Sequence, residues 1–440
     1  MIVEAVRVGE CARGLERRAR VRWRDGDFDL RVAGPAELTD ETPDASGFLA
    51  AALPLAMRLG EDLELEGPVS PALLEHTDTI QRIYSAWLPG VRRIEIEAPA
   101  ATPGEPAGDG FAAFFSRGVD STFSVGRDRA GARALTSLVF VDGFDTGHDE
   151  DVRAEEIRRA GAVAERIGLP LAVAETNLRD LANPLFPDWE DFGGAAMGFI
   201  AAAIAAGFRR VLIAPNDSYA TLEPAGTSPL LDPLFSTERV QIDHDLLTHT
   251  RVEKLAWLAA ERPDLLELLK VCYMENRPDN CGRCPKCLLT MTGLQAAGAL
   301  HLASEFPDAI DLDAFESRAI RRRFFSRFQW LTACRALGIT GADGALRRRI
   351  LEWIRETALT GPGHRSEHGS AWVEPAGIRD HRLNAMLSLL LDGRPYPPLD
   401  DAPPVDPPLG LVRAVDRARD RHVYAVGRLP DAELVGELGA

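Results

Sequence analysis

The spacing of apolar residues changes character near residue 110. Upstream, short runs at 19–23 and 28–32 alternate apolar with polar side chains, the period of a strand that buries one face. Residues 71–87 repeat their apolar positions at helical spacing instead. Residues 1–105 are therefore expected to form a small α+β domain. It closes in APAATPGEPAGD, residues 98–109, where Pro and Gly without an apolar period predict a linker.

From residue 110 the pattern becomes strand, loop and helix in alternation. Apolar runs at 111–115, 136–141, 171–174 and 210–215 read as strands. A helical pattern over 150–167 stops at Gly168, and a small-residue helix is expected over 193–207. Such alternation predicts an α/β fold with a doubly wound parallel sheet over 110–270, because right-handed crossovers place helices on both faces. Ligands of such sheets bind beyond the carboxyl ends of the strands. Residues 294–440 read as mainly helical, through 315–337 and 345–359, with an extended Pro-rich segment at 395–408.

Composition narrows the class. A chain of 440 residues exceeds one hydrophobic core, so two or three domains are expected. With 45% hydrophobic and 27% charged residues it is ordinary globular protein, and its apolar runs fall short of a membrane span. The longest, 195–208, reads as a buried helix. The opening Met1-Ile2-Val3-Glu4 has no secretory character, so a cytoplasmic location is expected, with no membrane partner. A formal net charge of −17 opposes attraction to nucleic-acid backbones and favours a small-molecule substrate. The basic run at 318–327 is read as a helix with a solvated basic face and Phe residues turned inward.

Two motifs carry chemistry. The first predicted strand of the α/β series ends in Ser116-Arg117-Gly118-Val119-Asp120-Ser121-Thr122. Small residues let amides turn toward an anion, hydroxyls add donors, and the following helix offers its positive end. The second motif is Cys272, Cys281, Cys284 and Cys287, spaced C-x8-C-x2-C-x2-C among turn-forming residues, over 271–293. Four thiolates satisfy tetrahedral Zn²⁺ and leave no open position, the signature of a structural site. An iron–sulfur cluster takes the same donor set. The other cysteines are Cys11 and Cys334.

The loop SRGVDS resembles the Ser-Gly-Gly-x-Asp-Ser loop of the PP-loop ATP pyrophosphatases, whose fold is the adenine nucleotide alpha hydrolase-like one. Arg117 departs from the commonest form. The resemblance implies that Ser116, Gly118, Val119, Asp120, Ser121 and Thr122 hold the phosphates of ATP, that Mg²⁺ bridges them, and that Arg117 adds a charge-assisted contact. It also places the nucleoside at Asp142 and Gly143. The cysteine spacing, downstream in the same order, is similar to the zinc site of the 7-cyano-7-deazaguanine synthase family. Between the two motifs, Thr250-Arg251-Val252-Glu253 resembles that family's Thr-Lys-x-Glu segment, with Arg251 in place of a phosphate-touching lysine. The resemblance spans residues 110–293.

It lapses after the fourth strand. That family's Cys-Arg pair is absent, and Asn216-Asp217-Ser218-Tyr219 leads into a loop ending at Asp232-Pro233. Asp217, Tyr219, Glu223 and Asp232, with Glu253, are the residues expected to orient a different acceptor. The resemblance thus implies an ATP-dependent ligase: a substrate oxygen, carboxylate foremost, is adenylylated with release of pyrophosphate. Ammonia or an amine then displaces AMP to give an amide or a nitrile, with Asp120 and Arg251 central to catalysis. A partner supplying ammonia or an amine, and a homodimer, are compatible with this scheme. The alternatives are a sulfurtransferase and a non-catalytic nucleotide-sensing or defence protein on the same scaffold.

Overall fold

Five parallel strands form the part of the sheet that follows residue 110. They are β7 (Gly110–Phe114), β8 (Ser137–Asp142), β9 (Leu171–Thr176), β10 (Phe208–Ile213) and β11 (Gln241–His244), preceded in the chain by β1 to β6 described below. Their spatial order is β11-β10-β7-β8-β9, every neighbouring pair parallel. The chain therefore begins in the middle, moves outward to β9, then returns to the other side of β7. This reversal puts a topological switch at β7, where open α/β sheets leave a crevice.

The computed structural model describes residues 1–316, apart from positions 89, 105–107, 128–133, 146, 148, 187–188, 220–221, 223 and 275–276, followed by 327–360, 409–416 and 421–428. The basic run at 318–326, the Pro-rich segment and Glu223 lie outside the described residues.

The sheet is mixed rather than purely parallel. β1 (Ile2–Val3), β2 (Arg7–Cys11), β3 (Gly14–Trp23), β4 (Gly26–Gly34), β5 (Leu63–Leu65) and β6 (Ile96–Glu97) continue it past β9. The junction is antiparallel, Val32 opposite Thr176 and Ala33 opposite Glu175. An edge strand presents unpaired backbone groups, and β4 covers the edge that β9 leaves open. Residues 1–105 thus share the sheet, and Met1–Asp343 is one compact unit, so the expected boundaries near 105 and 293 both fall inside it.

The two faces are legible residue by residue along β7. Ala112 and Phe114 join one core with Val139, Val141, Val211 and Ile213. Two apolar helices complete that layer, α1 (Ser46–Leu59) and α6 (Gly193–Ala203), with Phe48 and Phe199 meeting edge to face at 5.2 Å. Phe111, Ala113 and Phe115 belong to the opposite core. Its helices are α3 (Val119–Gly126), α4 (Glu150–Ile167), α7 (Arg251–Glu261) and α8 (Pro285–Ala296). Also present are α2 (Pro71–Trp87), capped by Ser70 with Pro71 at its start, and the short α5 (Leu178–Ala182). α9 (Arg327–Thr340) closes the unit, packing on α8.

Gly344–Ala440 is a second unit. It contains helix α10 (Gly344–Thr360) and, against the expectation of a mainly helical tail, an antiparallel hairpin of β12 (Leu409–Asp416) and β13 (Arg421–Arg428).

Candidate functional site

The candidate phosphate loop leaves the carboxyl end of β7 at the switch and enters α3 through Gly118. Ser116 is exposed, and its hydroxyl lies 3.3 Å from that of Ser121, whose own hydroxyl donates to the Gly118 carbonyl at 3.2 Å. The loop therefore folds back on the first turn of α3. Thr122 is buried behind it. On the far side of α3, Ser124 donates to Asp245 at 2.6 Å and ties the helix to the end of β11.

Arg117 does not face the crevice. It has φ 63°, the only left-handed non-glycine residue among those described. This conformation costs an L-residue roughly 1–2 kcal/mol and costs glycine almost nothing, which is why glycine is the usual occupant of such a turn. The side chain is fully buried, its Nη1 2.6 Å from Glu156 Oε2 and its Nε 3.0 Å from the Leu268 carbonyl. Burial pushes the Glu156 carboxyl up, and the Arg117 guanidinium acts against that. The expected contact of Arg117 with phosphate is thus replaced by an internal ion pair that holds the loop from beneath.

Asp120 stands in the first turn of α3 between two cations of α7. Its Oδ2 accepts from Arg251 Nη2 at 2.5 Å and its Oδ1 from Lys254 Nζ at 2.6 Å. Burial pushes the Asp120 carboxyl up, but Arg251, Lys254 and, from α8, Lys286 outweigh it and hold the group below the ordinary carboxylate range. Lys254 also donates to the Pro215 carbonyl at 2.7 Å, beyond β10. Sequence reasoning missed Lys254, three residues past Arg251 and so on the same face of α7.

Other expected residues are taken by structural tasks. Glu253 completes a capping box with Thr250, accepting from its backbone N–H at 2.8 Å, so it is the N-terminal lock of α7 and not an acceptor ligand. Asp142 is fully buried and accepts from Arg153 at 2.9 and 2.7 Å and from Arg13 at 2.9 Å, which takes its carboxylate from a nucleoside. Gly143 has φ 104°, and a Cβ there would collide with the Thr176 carbonyl, so the turn demands glycine. Asp232 is also fully buried, bonded to His244 Nδ1 at 2.7 Å and to the Ser228 N–H at 3.1 Å, and does not line an open pocket. Asp217 is half-buried and Tyr219 is 61% exposed, both beyond β10, where Tyr219 N donates to the Leu247 carbonyl at 2.8 Å. Past β8, Phe144 meets Trp189 edge to face at 5.1 Å, and the Arg179 guanidinium covers the Trp189 ring at 4.4 Å.

The four cysteines come together. Cys272, Cys281, Cys284 and Cys287 are all buried, with their sulfurs within 4.8 Å of one another. Asn280 organises the turn, its Oδ1 accepting from the Val271 and Cys272 amides at 2.8 and 3.1 Å. Amides of Arg283 and Cys284 point at Cys281 Sγ, and that of Cys287 at Cys284 Sγ. Hydrogen bonds with the other thiols push Cys272 down and Cys287 up. Four such sulfurs can all be thiolates only around a cation. Cys281 and Cys287 are 3.8 Å apart, and a tetrahedral ion with ~2.3 Å metal–sulfur bonds sets its sulfurs ~3.8 Å apart. The donor set fits zinc.

A groove of about 450 Å³ lined by Met1, Trp23 and Glu61 lies at β1 and β3, several strands from β7, and none of the residues above reaches it. Sheet and clusters together define an α/β protein with a mixed, mostly parallel sheet and a buried four-cysteine cluster suited to a metal such as zinc. No family model, curated protein or solved structure matches the chain. Among the described residues no helix is long and apolar enough to cross a membrane.

Proposed function

We propose that the protein is an ATP-dependent ligase that adenylylates a carboxylate of a small molecule and passes the acyl group to ammonia or an amine. The observation that carries this reading is the clamp of Arg251 and Lys254 on Asp120 at the amino end of α3, on the switch strand of the sheet. Two cations on one carboxylate leave a net positive charge beside the first turn of α3, and the amino end of the helix adds its own partial positive charge there. A polyphosphate answers both.

In this scheme the phosphates of ATP rest on Ser116, Gly118, Val119 and Ser121, with Arg251 taking charge that develops on the leaving pyrophosphate and the buried Lys254 holding Asp120 in place. A carboxylate oxygen attacks the α-phosphorus, the bond between α-phosphorus and bridging oxygen breaks, and pyrophosphate departs with the electron pair. The amine then attacks the acyl carbon, loses a proton, and AMP leaves with the acyl oxygen. Mg²⁺ accompanying the nucleotide would neutralise phosphate charge. Alignment supplies most of the rate, since no side-chain nucleophile is required. The Phe144 and Trp189 rings offer the nucleoside an apolar ledge. The four cysteines would hold zinc as a structural staple.

ATP–pyrophosphate exchange measured across a panel of carboxylic acids tests the reading. Exchange that depends on one acid is expected. Failure of the protein to bind ATP or pyrophosphate would overturn it.

A further inference from the structure

We infer that the four-cysteine knuckle positions the phosphate loop, so that metal at the thiols and polyphosphate at the loop bind cooperatively; the inference rests on the reading of the loop as a polyphosphate site. The link is the short stretch 268–272, bonded to the loop on one side and to the knuckle on the other.

On the loop side the stretch holds Arg117, whose left-handed backbone shapes the turn. The Lys270 amide donates to the Arg117 carbonyl at 3.0 Å, and Arg117 Nε donates to the Leu268 carbonyl at 3.0 Å. Glu156 braces the same guanidinium at 2.6 Å, and the Lys270 ammonium stands 3.9 Å from its other carboxylate oxygen. A non-glycine residue keeps such a conformation only where its surroundings over-determine it. Here those surroundings are residues 268–270 and Glu156.

On the knuckle side the stretch runs into Cys272 and is fastened by Asn280, the buried residue before Cys281. Asn280 Oδ1 accepts from the Val271 and Cys272 amides at 2.8 and 3.1 Å, and its Nδ2 donates to the Leu269 carbonyl at 2.8 Å. Lys270 Nζ donates to the Arg277 and Asp279 carbonyls, inside the turn between Cys272 and Cys281. The bonds that shape the stretch therefore belong to a turn that the thiols close. A cation draws the four sulfurs together; without one, thiolates repel or take up protons and the turn loses its closure. The stretch then loosens its hold on Arg117, and the loop relaxes from its left-handed form. Two sites that share one element in this way are coupled, and the coupling is reciprocal. What metal does for polyphosphate affinity, polyphosphate does for metal affinity.

Release of zinc from the loaded protein into excess chelator, timed with and without inorganic tripolyphosphate, tests this. Tripolyphosphate binds zinc itself and so hastens release on its own account, which makes any slowing a property of the protein. Saturating tripolyphosphate is expected to slow release about tenfold in the parent, a usual size for coupling between sites. The double variant Arg117→Gly with Glu156→Gln takes the left-handed turn at almost no cost and drops the side-chain ties. It should still bind tripolyphosphate by calorimetry while slowing zinc release less than about twofold. Equal slowing in parent and double variant means that the ligand stabilises the fold as a whole, and overturns the coupling. No slowing in a parent that binds tripolyphosphate also overturns it and leaves the polyphosphate reading standing. A parent that does not bind tripolyphosphate overturns both. Should the double variant fail to fold, hydrogen exchange of the loaded parent decides: tripolyphosphate should protect the Lys270 amide about tenfold and leave the β3–β4 hairpin unchanged. Equal protection of both overturns the coupling.

Discussion

Lys254 Nζ lies 2.6 Å from Asp120 Oδ1 with none of its side chain exposed, joining residues 134 apart in the sequence. Its second bond, to Pro215, reaches the end of β10. The pair therefore locks the two strands that flank the switch. Asp120 is at once a wall of the crevice and the counter-ion of a buried ammonium.

That double duty separates two substitutions. Asp120→Ala strands the Lys254 ammonium and should cost about 3–5 kcal/mol of stability as well as all exchange activity. Ser121→Ala removes a hydroxyl that donates to the Gly118 carbonyl and accepts from the Ser116 amide and should cost about 1 kcal/mol while abolishing exchange. Urea denaturation beside the exchange assay measures both. Normal exchange in Ser121→Ala would remove that residue from the phosphate site.

Arg117→Gly relieves the left-handed backbone but leaves Glu156 without its closest partner. The unpaired buried carboxylate should dominate, with a net loss of about 2–4 kcal/mol. Adding Glu156→Gln should recover most of it. Denaturation of the single and double variants gives the coupling, and strictly additive effects would contradict the ion pair.

Elemental analysis should find one zinc per chain. Cys284→Ser should lose a metal donor while keeping the cap of α8, since a serine hydroxyl accepts from the Cys287 amide as well, lowering metal content and melting temperature together, and chelation should reproduce the effect in the parent protein. A metal-free, unperturbed melt would count against the site.

Asp40 ties the N-terminal strands to the loop before β11, bonded to Arg17 at 2.6 Å and to Arg239. Burial pushes its carboxyl up, but the Arg239 and Arg17 contacts bring it from 3.8 down to about 2. A depressed carboxyl stabilises the folded state only while ionised. Its contribution, about 1–2 kcal/mol after screening, should be complete above pH 4 and vanish as pH falls toward 2. Asp40→Asn should therefore destabilise the protein at pH 6 and make no difference near pH 2, checked by denaturation at both.

Nitrogen should come from ammonia, an amine or a partner protein, with no glutaminase in this chain. Cys334 is fully buried in α9 and Cys11 sits in the β2–β3 hairpin, neither in the setting of an activated thiolate. The double substitution of both by Ala should leave ATP–pyrophosphate exchange and ammonium-dependent turnover unchanged. Glutamine-supported turnover that the double variant loses would contradict this.

Local order explains what could be read in advance. β7 to β10, helix α4 with its Gly168 stop, and the cysteine knuckle follow from period, caps and ligand spacing, which are properties of neighbouring residues. Helix α1 was not legible. It is apolar nearly all round, with Pro54 inside, because it is buried on every side and has no solvent face to create a period.

The sequence by itself determined the alternation of strands and helices, the loop after β7 and the cluster of four thiols, since each is encoded within a short stretch of residues. Tertiary structure alone decided the partners. Which face of the loop Arg117 takes, whether Asp142, Asp232 and Glu253 are free or spent, and that Arg251 and Lys254 clamp Asp120 all depend on residues far apart in the chain. A charged side chain is committed by whatever the fold brings within a hydrogen bond of it, and sequence spacing carries no record of that distance.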